Sequence, residues 1–318
     1  MRVLVMGAGA MGTVVGGFLA KAGHDVTLVG RAKHMDAIAQ NGLRITGIWG
    51  EHHVATLHVC SEVAAVAASG FDLILICVKS YDTRPAVEAV LPLAGATTLV
   101  CAYQNGLGNA EIIAETVGWE RTVGVSAIFG TRLNAPGCAE VTVIAHPTTL
   151  GVYHPAAPAD RVREIAEAMD AAGLPTIHSD RMATVLWAKV AYNSALNPLS
   201  ALLDMRYGAL AETEHTRAIM AGIIQELYAV GCARGVTLAP ESPEAYLELF
   251  YTKLVPPTAA HFASMHQDFA HRRRTEIDAL NGAIARYGAE LDIPCPVNTM
   301  LTRLVHAREY ALGTPAAP

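Results

Sequence analysis

A short aliphatic run, Arg2-Val-Leu-Val-Met6, stops at Gly7-Ala8-Gly9-Ala10-Met11-Gly12. Apolar residues then recur at helical spacing through Val14, Val15, Phe18 and Leu19 as far as Gly23, and Asp25-Val-Thr-Leu-Val29 reads as a second strand. A GxGxxG pattern alone is weak, because glycine-rich turns are common. Following a strand and opening a helix, inside a β-α-β unit of about 30 residues, it has a specific physical meaning. Gly7 permits the tight turn, Gly9 lets the backbone approach a pyrophosphate, and Gly12 allows close packing of helix on strand. Ala8, Ala10 and Met11 complete the loop, and amides at the helix N-terminus meet the negative charge. A dinucleotide site is expected here.

The end of the second strand discriminates between nicotinamide cofactors. An NAD site places Asp or Glu there to hold the ribose hydroxyls. This chain has Gly30-Arg31, with Lys33 two residues on. A carboxylate would repel a 2′-phosphate, whereas an arginine fork binds it bidentately, so NADP is favoured. The alternative is that Arg31 simply faces solvent.

Further strands read at 73–78, 98–101 and 122–126, with helices near 83–92 and 107–116. Continuous aliphatic runs of this kind are the mark of strands buried on both faces. The alternation predicts an α/β fold with a Rossmann-type, doubly wound, mostly parallel sheet. Residues 139–153 alternate polar and apolar and read as an antiparallel addition. Lys79 and Asn105 each follow a predicted strand, at the carboxyl ends where open sheets bind ligands. They read equally as a surface lysine and a turn asparagine.

From about Ser179 strand-like runs vanish and helical patterns take over at 180–197, 212–234, 262–288 and 297–311. The expected domains are therefore 1–179, holding the nucleotide, and an all-α 180–318, holding substrate. The tail Gly313–Pro318 is expected to be loose. With 318 residues, 52% of them hydrophobic and 16% charged, the chain accommodates two cores. A net charge of −6 offers no basic surplus for a nucleic-acid partner. Six scattered cysteines without a CxxC pair suit a reducing cytoplasm. Met1-Arg2 enters a strand directly, so neither a signal peptide nor a membrane span is expected. The thirteen histidines show no metal-binding spacing, and no metal is expected.

In the second half, Lys189, Asn193 and Asn197 recur every four residues and share one helix face. Their neighbours Val185, Leu186, Val190, Ala191 and Leu196 are apolar. An ammonium and two amides aligned in such a helix suggest the wall of a polar cleft; the residues alone also allow a surface lysine. The cluster Ser264-Met-His-Gln-Asp268 and Arg272-Arg-Arg-Thr-Glu276 reads as a solvated, charged helix with i,i+4 pairs. Spacing alone assigns no role to Ser264 or Glu276.

GAGAMG at 7–12, VKSYD at 78–82, QNGLG at 104–108, WAKVAYNSALNPLSAL at 187–202, SMHQD at 264–268 and RRTEIDALNG at 273–282 together resemble the ketopantoate reductase (2-dehydropantoate 2-reductase) family over nearly the whole chain. The resemblance implies NADPH-dependent reduction of ketopantoate to pantoate, for pantothenate synthesis in the cytoplasm. It implies Lys189 as general acid, with Glu276 opposite, holding the substrate hydroxyl and orienting the lysine. It also implies Asn105, Asn193, Asn197 and Ser264 as substrate ligands, and Lys79 and Asn105 near the nicotinamide. Two positions depart from the pattern: Tyr207 before Gly208 and His261 before Ser264 stand where some members carry asparagine. They leave room for a sibling reductase of another branched or aromatic 2-oxo acid. A non-catalytic NADP sensor is the third reading, and a homodimer is compatible with the apolar helices.

Overall fold

The structure is a computed structural model that describes residues 1–67 and 69–314. Of the tail expected to be loose, residues 315–318 lie outside the described residues. The chain divides into two compact units. The first is Met1–Gln104 with Asn109–Met182; the second takes the chain from Ala183 onward together with Asn105–Gly108.

In the first unit the order is β1 (Arg2–Met6), α1 (Ala10–Lys21), β2 (Asp25–Val29), α2 (Ala32–Asn41), β3 (Leu43–Gly47), β4 (His52–Val54) and β5 (His58–Cys60). Then follow β6 (Leu73–Ile76), α3 (Thr83–Val90), β7 (Leu99–Ala102), α4 (Asn109–Val117), β8 (Thr122–Ala135), β9 (Cys138–Val152), α5 (Ala159–Ala171) and β10 (Thr176–Ser179). Six strands run parallel in the order β5-β2-β1-β6-β7-β8. That is the order of a doubly wound dinucleotide fold, with the switch of direction beside β1. Side chains alternate along β1: Val3 and Val5 pack with α1, α2 and α5, while Leu4 packs with α3 and α4 on the other face. Both faces are thus covered, which is why these strands read as unbroken aliphatic runs.

The expected antiparallel addition is the hairpin β8–β9. It is longer than the sequence suggested, because β8 continues to Ala135 through a half-exposed stretch. One half of β9 carries β3 and the other β10, both parallel. Strands β3, β4, β5 and β10 were not anticipated; at three to five residues each they carry too little periodicity to read.

In the second unit, α6 spans Met182–Leu203, with all but its first residue in this unit. After it come α7 (Tyr207–Glu212), α8 (Glu214–Ala233), α9 (Pro243–Leu249) with a π-helical turn at Phe250–Leu254, α10 (Ser264–Ala270), α11 (Asn281–Glu290) and α12 (Pro296–Ala311). The helix expected over 262–288 is two helices separated by an irregular bend. Arg272 adopts a left-handed backbone (φ 51°), and side chains take over from the helical ladder. Asp268 pairs with Arg273 at 3.2 Å, and Glu309 of α12 accepts the Thr275 N–H at 2.7 Å. Among the described residues no helix is long and apolar enough to cross a membrane. No group of three or more potential metal ligands occurs among them either.

Candidate active site

The glycine loop lies between β1 and α1. Gly7 has φ +103°, and a Cβ there would sit 2.6 Å from Val78 N, so glycine is required both by conformation and by space. A Cβ on Gly12 would meet Gly7 O at 2.5 Å, which fixes how closely the helix approaches the loop. Gly9 differs from both: it is exposed, and a Cβ there would meet no atom within 4 Å. Its open side is protein-free space beside the start of α1. The first N–H bonded back within the helix is that of Thr13, to Gly9 O at 2.9 Å. The N–H groups of Ala10, Met11 and Gly12 precede it and supply the positive end of the helix. The loop therefore fits a diphosphate.

Arg31 lies just past β2 and caps α2 through its backbone, with its side chain exposed. Among the described residues its guanidinium makes no hydrogen bond or ion pair. Behind it, His34 holds the corner. Its Nδ1 accepts the Gly137 N–H at 2.9 Å, so Nε2 carries the proton donated to Thr13 Oγ1 at 3.0 Å. Burial lowers the His34 pKa, which keeps the ring in that neutral form. Lys79 stands at the carboxyl end of β6 and opens a 3₁₀ turn, Ser80–Asp82.

The second constellation belongs to the helical unit. Lys189, Asn193 and Asn197 lie at successive turns of α6 as their spacing predicted. Burial brings the Lys189 ammonium down to about 8, and the nearby Glu276 charge partly offsets that fall. The structure thus brings together two residues 87 positions apart in sequence. Glu276 is held from both sides in sequence. Thr275 donates its N–H to Glu309, His306 bridges Glu309 (2.8 Å) and Asp278 (2.9 Å), and Arg274 pairs with Asp278 at 3.1 Å. The arginine at 274 thus braces the bend rather than decorating a solvated helix.

Asn105 comes into the same unit through its neighbours. Gly106 has φ +92° and lies so close to the turn Ile277–Ala279 that a Cβ would meet Ala279 O at 2.4 Å. The next residue, Leu107, donates its N–H to the same carbonyl at 2.7 Å. The turn that carries Asn105 is therefore fastened to the turn that follows Glu276. Ser264 is exposed at the first residue of α10. Its predecessor Ala263 donates to Ser200 Oγ at 3.2 Å, which anchors the start of α10 three residues beyond Asn197 on α6.

Asn281 escaped assignment from sequence. Pro198 lies inside α6 and has no N–H, so it leaves the carbonyl of Ser194 without its helical donor. The fully buried Asn281 supplies that donor, Nδ2 to Ser194 O at 3.1 Å, and also donates to Asn298 Oδ1 at 3.0 Å. Asn298 in turn donates to Glu226, which accepts the N–H groups of Val297 and Asn298 at the start of α12. A proline four residues after Ser194 was the available signal: a buried helix with a gap in its ladder needs a donor from elsewhere.

With both constellations in view, comparison with known proteins is decisive. Residues 3–155 match the family described as "Ketopantoate reductase PanE/ApbA", and residues 181–309 match its C-terminal part. The chain belongs to the ketopantoate reductase family. It is 35% identical over 311 residues to a 2-dehydropantoate 2-reductase of Aquifex aeolicus, covering 97% of both chains. A solved ketopantoate reductase of this family from Ralstonia eutropha is similar at TM-score 0.87 and 34% identity, over 98% of this chain and 100% of that one. D-mandelate dehydrogenase, solved with NADH and anilino(oxo)acetate, is similar at TM-score 0.88 and 25% identity, over 99% and 100% of the two chains.

Within this ketopantoate reductase framework, the two departures from the family pattern turn out to be neighbours. Tyr207 donates its N–H to the carbonyl of His261 at 3.0 Å. The Tyr207 ring is buried, meets Tyr192 edge-to-face at 6.1 Å, and sends its hydroxyl to Asn197 Oδ1 at 2.8 Å.

Proposed function

We propose that this chain, an oxidoreductase acting on a CH–OH group, catalyses NADPH-dependent reduction of ketopantoate to pantoate, a step of pantothenate biosynthesis. The partly desolvated Lys189 beside Glu276 carries the reading. When bound, the reduced nicotinamide supplies the hydride that reaches the 2-oxo carbon. The glycine loop 7–12 would hold the diphosphate, Arg31 the 2′-phosphate, and Lys79 and Asn105 the nicotinamide end.

Hydride addition leaves negative charge on the former carbonyl oxygen. The Lys189 ammonium stabilises that charge and gives its proton to the oxygen, a role worth about 10²–10⁴-fold. A pKa near 8 suits the task, since the lysine is still largely protonated at neutral pH but releases its proton more readily than an exposed one. Glu276 orients the ammonium and accepts a hydrogen bond from the substrate hydroxyl. Asn105, Asn193, Asn197 and Ser264 provide hydrogen bonds to the substrate without adding an unpaired buried charge. A sensor that only binds cofactor has no use for such an acid.

The aromatic group Tyr192, Tyr207 and Phe250, with the likeness to D-mandelate dehydrogenase, favours one second reading: a sibling reductase of an aromatic or other branched 2-oxo acid. A single assay separates the two. NADPH absorbance is followed with ketopantoate, 2-oxoisovalerate and phenylglyoxylate, and NADH is run in parallel. Fast decay with ketopantoate and NADPH is expected; faster turnover of phenylglyoxylate than of ketopantoate would replace the first reading by the second.

A further inference from the structure

Asn197 has an amide with two different edges, and which edge meets the substrate decides what it can recognise. The oxygen edge is taken, since Tyr207 OH donates to Asn197 Oδ1 at 2.8 Å. Among the described residues the nitrogen edge has no protein partner, nor is Nδ2 one of the polar atoms sealed from solvent without one. The opposite orientation of the amide would be worse. A phenol whose hydrogen bonds run only to this asparagine would then accept from Nδ2 and leave its own buried O–H unpaired, at a cost greater than that of the bond gained. The phenol is itself held firmly. Its backbone N–H is tied to His261, its ring packs on Tyr192, and Tyr192 OH is hydrogen-bonded to Thr258 Oγ1 at 2.5 Å. Burial raises the Tyr207 pKa far above the working range, so the hydroxyl remains a donor.

We propose that Tyr207 is a positioning residue for substrate recognition: its hydroxyl fixes the Asn197 amide with Nδ2 turned outward, so that this position presents only donors to the acceptor oxygens of a 2-oxo acid. The inference rests on the assignment of Asn197 to the substrate site made above. It gives Tyr207, a departure from the family pattern, a defined task. An asparagine carboxamide at this position could itself have rotated; the phenol has a single hydrogen, and giving it to Oδ1 favours one orientation of the Asn197 amide.

The test is a double-mutant cycle on Tyr207→Phe and Asn197→Ala, read as separate kcat and KM for ketopantoate, with NADPH affinity as the control for folding. Removing the hydroxyl lets the amide turn its oxygen toward an anionic substrate. Tyr207→Phe should therefore raise the ketopantoate KM about tenfold, the equivalent of one lost hydrogen bond, with kcat changed less than about twofold. In the Asn197→Ala background the same change should have almost no effect, because no amide remains to be oriented. A merely structural tyrosine would instead cause the same loss in both backgrounds, and that additivity would overturn the proposal. So would a wild-type KM in Tyr207→Phe when Asn197→Ala is impaired. If Asn197→Ala itself keeps the wild-type KM, the site assignment has failed and the inference falls with it. Asn197→Asp covers the case in which Tyr207→Phe does not fold. It keeps the acceptor for Tyr207 but loses the donors, and it should raise KM by more than about tenfold; an unchanged KM would refute the donor role.

Discussion

The nucleotide loop and the lysine site solve opposite problems. The loop proposed to hold the diphosphate works with backbone, so its demands fall on glycines whose missing side chains make room: Gly7 against Val78, Gly12 against Gly7, and Gly9 against nothing in the protein. The lysine site works with side chains, and its chemistry is set by what surrounds them. Lys189 has its lowered pKa through burial, Glu276 is placed by a bend that Arg274, His306 and Glu309 hold, and Asn105 arrives by way of Gly106 and Leu107. A backbone site can be written in six consecutive residues. A side-chain site of this kind needs several segments and the packing that brings them together.

Variants can break or sharpen that contrast. The largest effect is expected for Lys189→Ala, which should lower kcat about 10²–10⁴-fold while NADPH still binds with wild-type affinity, as measured by fluorescence titration. Loss of NADPH binding in that variant would mean the two sites are not separable in this way. Next is Asn281→Ala. It should cost about 2–3 kcal/mol in denaturant unfolding, because Ser194 O and Asn298 Oδ1 lose a buried donor. A neutral result would show that the proline gap in α6 needs no repair.

The glycines give the sharpest comparison. Gly7→Ala should destabilise the protein by about 1–2 kcal/mol or more before any ligand is added, since it is strained in conformation and collides with Val78. Gly9→Ala should leave thermal unfolding unchanged and weaken NADPH, because its new methyl meets no protein atom and fills only the space proposed for the diphosphate. If both variants lose stability equally, the open side of Gly9 is not a ligand cradle. The smallest effect is expected for Arg31→Ala: KM for NADPH should rise about tenfold and KM for NADH stay unchanged, as one charge-assisted contact disappears. An equal rise for both cofactors would remove Arg31 from the 2′-phosphate.

The same contrast explains what could be read beforehand. The glycine loop, its parallel strands and the register of Lys189, Asn193 and Asn197 follow from local spacing, and all appear where expected. The partner of Lys189 could not be found that way, because Glu276 sits in a bend where a helix was expected. That bend is held by side-chain acceptors, Glu309 and Thr275, which take the backbone N–H groups of Thr275 and Ile277 away from the helical ladder and leave no periodic trace. Resemblance to a family supplied Glu276, and spacing did not. Short strands such as β5 and β10 were missed for a related reason: their pairing is decided by β2 and β9, far away in sequence. The expectations for Arg31 and Gly9 rest on local features, a cation where a carboxylate is usual and an absent side chain.

The most direct test of the account is the pH dependence of kcat/KM for ketopantoate reduction, with wild type and Lys189→Ala compared. In the proposed mechanism the Lys189 ammonium donates the proton, so the active form lies below the lysine pKa and is lost as pH rises through it. For the wild type the account predicts a plateau near neutrality and a fall above about pH 8, approaching tenfold per pH unit, with no such limb in the residual activity of Lys189→Ala. A wild-type profile that stays flat well beyond pH 9, or a limb near pH 8 that persists in Lys189→Ala, would contradict it and assign the proton to another group.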